Sequence, residues 1–354
     1  MKAVLARLMV IASALLPTRP VAACGGGFGH GIEINPSRTI VVAFGQGVET
    51  YVFNPSFCGT AAQFGLILPV PAPLVAPPTL KDRTLYANLE AYTAPEVVTE
   101  CRSSAGGCGA ADSKGASLGA GGDAVQDWDR GVNVVDAGQV GVFDWVLLQA
   151  DTAQAFTDWL DANAFPYAAS SVNDFSAYVD QAWYFVAFKV TAGTDAPAPG
   201  AKLCGDLGPL SLQFPTPTAV VPARIAAANL DPSYANIWRV VTVNDPGLTP
   251  DAGTTYSALY FSGVPSATDL DTYEALGAIA APGARVSTYD VHFPYGRPQG
   301  DIWLLQDTAP RDFRSTTTVY EDCGCAAASA NGLPVFVGLA VFLVTLRWPR
   351  RRRA

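Results

Sequence analysis

Histidine is nearly absent from this chain: His30 and His292 are the only two among 354 residues. No Cys-x-x-Cys occurs either, which argues against a zinc site built from the usual ligands. There is no His-Glu-x-x-His, and no glycine-rich stretch ends in the Gly-Lys-Ser/Thr of a phosphate loop. Basic charge is scarce as well. Between Cys24 and Cys325 lie 14 basic residues against 31 acidic ones, a net of −17, and only Lys81, Lys114, Lys189 and Lys202 are lysines. Such a body repels phosphate backbones, so nucleic acid is not an expected partner. No cofactor is implied. Only 15% of residues are charged, while 33 are Gly and 27 Pro, a balance that favours turns and strands over long surface helices.

What is there begins at the ends. "MKAVLARLMVIASALLPTRPVAAC" has a basic start, an apolar stretch from Leu8 to Leu16 and small residues before Cys24, the pattern of a secretory leader over 1–23. Cleavage after Ala23 by a signal peptidase satisfies the small-residue rule. "VAAC" also resembles a lipobox in which Cys24 becomes lipidated, although Thr18, Arg19 and Pro20 interrupt the apolar run. Both readings stand. At the other end, 326–346 carries no charge and would span about 31 Å as a helix, enough for a bilayer's hydrocarbon layer. Its strongly apolar part is 333–346, and Arg350, Arg351, Arg352 and Arg353 beyond it stay cytoplasmic by the positive-inside rule.

The order of features here, Cys323-Gly324-Cys325, a small-residue spacer, a short apolar helix and an arginine cluster, resembles the myxobacterial C-terminal sorting signal (MYXO-CTERM). That resemblance implies a sorting protease that removes the helix, and a body passed to the cell surface with a membrane lipid anchor on a cysteine of the pair. The expected organisation is therefore a leader (1–23), one exported globular body (24–322) and a sorting segment (323–354) with a transmembrane helix.

Export places the body in an oxidising compartment, where disulfides form. The candidates are Cys24, Cys58, Cys101, Cys108 and Cys204. Cys101 and Cys108 bracket a small-residue loop, and Cys24 with Cys58 would tie down the new N-terminus, leaving Cys204 over. With Cys24 lipidated, Cys58 with Cys204 becomes the even solution. The sequence leaves the connectivity open.

Within the body, "RTIVVAFGQGVETYVFNP" reads as two strands around a Gly-Gln-Gly turn, and "FGLILPVPAP" as a buried strand that Pro69, Pro71 and Pro73 end or turn into an edge. "TLKDRTLYANLEAY" is a helix by the spacing of Leu85, Leu89 and Tyr92. Residues 102–126 are rich in Gly, Ala and Ser and read as a flexible surface loop. "GVNVVDAGQVGVFDWVLLQA" gives two strands. A helix capped by Asp151 follows, with Phe156, Trp159, Leu160 and Asn163 on one side, then a second helix with Phe175, Tyr178 and Val179 facing in. "WYFVAFKV" is a central strand. Further on, "SATDLDTYEALGAIA" reads as one helix with Ser266 and Asp269 as its capping pair, among more strands. The fold class expected is α+β, with largely antiparallel sheets and a few short amphipathic helices.

Four segments, "FGLILPVPAP", "VGVFDWVLLQADTAQAFTDWLDANAF", "YVDQAWYFVAFKV" and "LSLQFPTPTAVVPARIAAAN", follow in the order seen in the bacterial domain-of-unknown-function family 2330, which the chain resembles over about 24–245. The family implies no activity, substrate or site. The "GGGFGHGIEINPSRT" segment after Cys24 is thinner than the family's usual aromatic and polar run.

For chemistry, Asp290 and His292 in "TYDVHFPYG" sit two apart on a strand, which puts them on one face and makes them the best available catalytic dyad. Asp127 and Asp129 are spaced like calcium ligands but lack a third alternating acid and a distal Glu. The reading favoured is a surface-anchored envelope protein with a binding or structural role toward an unidentified envelope or extracellular ligand. The alternative is an extracellular hydrolase using carboxylates or the Asp290–His292 pair. The sorting signal is tested by mass spectrometry on protein shaved from intact cells. The C-terminal peptide is expected to end at Cys323 or Cys325 with added lipid mass; a peptide running on to Arg353 overturns it.

Overall fold

The computed structural model describes residues 26–28, 33–60, 65–101, 131–165, 167, 169–190, 202–206, 208–229, 236–251, 256–293 and 298–321. They fall into two units, one of residues up to Val97 with those from 131 to Thr317, the other of Val98–Cys101 with Thr318–Glu321. The leader, the segment 102–126, Asp127, Asp129, Cys108 and everything from Asp322 onward, including Cys323, Gly324, Cys325 and the arginine cluster, lie outside the described residues. Among those described, no helix is long and apolar enough to cross a membrane.

The first unit is built on two sheets. One has five strands in the order β1 (Gly26–Phe28), β4 (Gly65–Val70), β9 (Tyr184–Val190), β8 (Phe143–Ala150) and β7 (Val132–Val140), all antiparallel. The other runs β18 (Phe313–Arg314), β15 (Tyr256–Gly263), β16 (Arg285–His292), β13 (Ile237–Asn244), β2 (Glu33–Gly45), β3 (Val48–Thr60), β11 (Leu210–Pro215) and β5 (Thr79–Leu80), with β10 (Lys202–Asp206) also on β3. Among the described pairings of this second sheet, only β13 with β2 is parallel. The expected α+β class with largely antiparallel sheets is what forms.

Alternation along the strands sorts side chains into layers. Leu66, Leu68, Trp145, Leu147, Val186 and Phe188 of the first sheet meet Ile40, Val42, Tyr51, Phe53, Leu212 and Phe214 of the second in one inner core. The opposite parity of the first sheet (Ile67, Leu148, Phe185, Ala187) packs under α2 (Ala153–Ala162) and α3 (Val172–Val179). Val41, Val52, Val241 and Val286 of the second pack under α1 (Leu85–Tyr92) and α5 (Glu274–Gly277). A three-stranded sheet of β12 (Ala219–Val221), β17 (Ile302–Gln306) and β14 (Leu248–Pro250) adds to the inner core. The second unit holds the pairing of β6 (Glu96–Cys101) with β19 (Thr316–Glu321).

The turn between β2 and β3 is made by Gln46 and Gly47, both at positive φ (53° and 75°), the two-residue hairpin geometry that suits strand twist. Pro69 sits inside β4 rather than after it. It is tolerated because β1 pairs only with Gly65–Ile67, so no strand seeks an N–H there on that side. The cap of α2 is Thr152, not Asp151: its extended backbone aims the hydroxyl at the Ala155 N–H (3.0 Å), whereas Asp151 precedes the helix start by one residue more. The helix read over 266–280 is two, α4 (Ala267–Thr272) and α5, because Tyr273 leaves helical geometry and packs its ring edge-on to Tyr92. The Ser266–Asp269 capping box is present as expected.

The helices α2 and α3 end alike. Ala164 (φ 52°) and Ala182 (φ 56°) adopt the left-handed conformation, and the next residue donates back over the last turn, Phe165 to the Leu160 carbonyl (2.8 Å) and Trp183 to that of Tyr178 (3.0 Å). These are paired Schellman ends that deliver an aromatic ring to the outer core. Alanine is strained there where glycine is not. Ala164→Gly and Ala182→Gly are each expected to raise stability by about 1 kcal/mol, read as a higher urea midpoint.

Candidate functional site

The outer face of the five-stranded sheet carries a row of four residues set by register. Gly65 on β4, Lys189 on β9, Asp144 on β8 and Gln139 on β7 lie side by side. The next row holds Ile67, Ala187, Val146 and Ala137, and its two alanines leave a shallow floor. Above this stands the end of α2. The result is a cleft of about 570 Å³ whose lining includes Asp144, Val146, Trp159, Asn163, Phe165 and Lys189. That volume suits a small ligand.

Lys189, Asp144 and Asn163 of the cleft are each held by a neighbour. The Lys189 ammonium donates to the Asn163 carbonyl (3.1 Å) and stands 5.7 Å from the Phe165 ring centre. Asp144 accepts from the Gln139 amide (2.6 Å). The Asn163 side chain donates to the Trp159 carbonyl (2.9 Å), which fixes the end of α2. Trp159 and Phe165 pack with centroids 5.5 Å apart. Gly65 is what lets Phe165 lie on the sheet, since a Cβ there would come within 2.6 Å of the ring.

A second, more open cleft of about 560 Å³ lies among Tyr92, Phe261, Asp269, Tyr273, Asp312 and Arg314. Burial, with Asp269 nearby, pushes the Tyr92 hydroxyl up to about 12. Asp269 is held low by the Ser266 hydroxyl and N–H of the capping box. Asp312 accepts from Arg285 (2.8 Å), and Arg314 lies over the Phe261 ring.

Two strongly buried ionisable clusters sit in neither cleft. Glu49 on β3 is fully buried in line with Tyr51 and Phe53, and its Oε2 accepts from the Val220 N–H (2.8 Å), tying β12 to the main sheet. Its Oε1 has no hydrogen-bond partner, and burial raises the carboxyl well above its ordinary value. The Tyr178 hydroxyl donates to Asp301 (2.6 Å) and accepts from the Ile225 N–H, while Asp301 also accepts from the Arg224 N–H (3.0 Å). Burial raises both groups.

The residues singled out by sequence are placed elsewhere. Asp290 and His292 do share a face of β16, but both oxygens of Asp290 accept from Arg239 (2.9 and 3.1 Å), and the guanidinium rests on the Tyr260 ring. The His292 ring packs against Tyr256. Asp127 and Asp129 lie outside the described residues. No group of three or more metal-ligating side chains occurs among the described residues. Sequence reasoning missed the cleft entirely. Its signal is faint, a lysine at the end of an apolar strand and a tryptophan on the helix before it.

Comparison with known proteins gives one family. The model described as "Uncharacterized protein conserved in bacteria (DUF2330)" matches residues 20–302. No curated protein matches. A solved structure described as the crystal structure of baculovirus P35 aligns with a TM-score of 0.34 and 8% identity, over 78% of this chain and 97% of its own. A likeness that slight carries no argument.

Glu49 supplies a test of the buried carboxyl. Its folded value lies above the 4.5 of an ordinary glutamate, so its contribution is fully present below that pH and is lost as pH rises toward the folded value. Relative to Glu49→Gln, which keeps an acceptor for Val220, the native chain is expected to lose about 1.4 kcal/mol per pH unit across that window. Urea midpoints of the two chains measured from pH 4 to 8 check this; parallel curves overturn it.

Proposed function

We propose, for a chain that belongs to the bacterial family of uncharacterized proteins DUF2330, an exported envelope protein held at the cell surface by its C-terminus that binds a small ligand without transforming it. The observation that carries the binding reading is the cleft beneath α2. Two aromatic rings, an ammonium, a carboxylate and an amide converge on a floor of small residues, and each polar group is already fixed by a neighbour. Fixed polar groups around an apolar floor are what recognition needs, because little ordering is left to do when the ligand arrives. The ligand such a cleft suits has a flat apolar face for Trp159 and Phe165 and a carbonyl or anionic group within reach of Lys189.

The envelope part of the reading is supported by the sequence at both ends. A leader over 1–23, Cys323-Gly324-Cys325, an apolar segment over 333–346 and an arginine cluster fit processing by signal peptidase, then by a C-terminal sorting protease, with a lipid as the final anchor. The acidic body between them suits an exposed, solvated surface.

The alternative hydrolase reading uses carboxylates or the Asp290–His292 pair, and paired variants test the second of these against the binding reading. In cells with a deletion phenotype, Trp159→Ala and Lys189→Ala are expected to reproduce it, while His292→Ala is expected to behave as wild type. Surface amount and thermal midpoint are followed to confirm folding. A phenotype from His292→Ala alone, with folding intact, overturns the binding reading.

A further inference from the structure

The register of the second sheet sets two cysteines against each other. Strand β10 pairs antiparallel with β3 in unbroken order, Lys202 opposite Thr60, Cys204 opposite Cys58 and Asp206 opposite Ser56. On the other edge of β3, Glu33 of β2 stands opposite Cys58, so this strand is paired on both sides at that point. Residues directly opposed in an antiparallel pair have Cα atoms about 4.5–5.5 Å apart. A disulfide spans Cα separations of about 4.4–6.8 Å. We infer that Cys58 and Cys204 are joined by a cross-strand disulfide.

Among the described strand pairings, no other cysteine stands opposite Cys58 or Cys204. Cys24 leads into β1, which pairs with β4 in the other sheet. Cys101 ends β6, whose partner is β19, and Cys108 follows it by seven positions. Cys58 and Cys204 are 146 positions apart, and among the pairings the sequence left open, the topology, which returns the chain to the same strand, sets these two opposite each other.

The oxidant is a disulfide, carried by a protein or a small molecule. The Cys58 thiolate attacks one of its sulfurs and releases the other as a thiolate; the Cys204 thiolate then attacks the Cys58 sulfur of the mixed disulfide and releases the second. Two protons pass from the protein thiols to the two departing thiolates. The protein loses two electrons and the donor gains them. That the bond is made in the cell rests on the export reading; that these two cysteines are partners rests on the register alone.

The experiment blocks free thiols of the full-length protein from cells with N-ethylmaleimide in denaturant without reductant, then maps the digest by mass spectrometry. The expected product is a Cys58 peptide joined to a Cys204 peptide, lighter than their sum by two hydrogens. Reduction is expected to lower the thermal midpoint by roughly 5–15 °C, and Cys204→Ser to abolish that loss. If both cysteines carry the blocking group, reduced folded protein is incubated with oxidised glutathione and mapped again. A Cys58–Cys204 link formed only then upholds the pairing and overturns export. No such link in either sample, or either cysteine joined to another, overturns the inference.

Discussion

The mutual burial of two sheet faces governs the rest of this molecule. Once Phe53, Tyr51 and Phe214 of one sheet meet Leu66, Trp145 and Phe188 of the other, each sheet is left with a second apolar face that water would penalise. Helices α2 and α3 cover one and α1 and α5 the other, which explains why helices so short, eight or ten residues at most, are stable here. It also explains why β4 is buried at every position instead of alternating: both of its faces are inside.

That constraint decides which polar groups need special provision. Glu49 shares the inward parity of Tyr51 and Phe53 and cannot turn away, so burial raises its carboxyl well above the ordinary value, and its Oε2 accepts from the Val220 N–H of β12. Asp301 and Tyr178 satisfy each other and two backbone N–H groups at the rim of the outer core. The cleft is the opposite case. There the covering helix ends early, the floor residues are small, and polar groups meet solvent with their geometry already set by the sheet register and the end of α2.

Much of this was legible in the sequence. Strands with continuous apolar runs, the Gly-Gln-Gly turn and the Leu85, Leu89, Tyr92 stripe follow from short-range periodicity and form, but the helix read from Thr79 begins only at Leu85, because Thr79 and Leu80 pair with β11 as β5. The misreadings were local competitions. Thr152 displaced Asp151 as a cap because its backbone angles, invisible in sequence, aim its hydroxyl at the right N–H. Tyr273 split one expected helix because its ring had a partner in Tyr92, far away along the chain. The site was not legible for the same reason. Gly65, Lys189, Asp144 and Gln139 become a row only through three strand pairings, and nothing in the spacing of 65, 139, 144 and 189 announces it. The pairing of Asp290 with Arg239 is likewise a cross-strand fact, residue opposite residue on β13 and β16.

The small ribbon of β6 and β19 has a mechanical consequence. Strand β19 is the last described element before the C-terminal segment, so a tether beyond it would transmit any tension on the body through β19 first. The hydrogen-bonded ladder to β6 shares that load with Glu96–Cys101, and a ladder once pulled apart can re-form when tension is released.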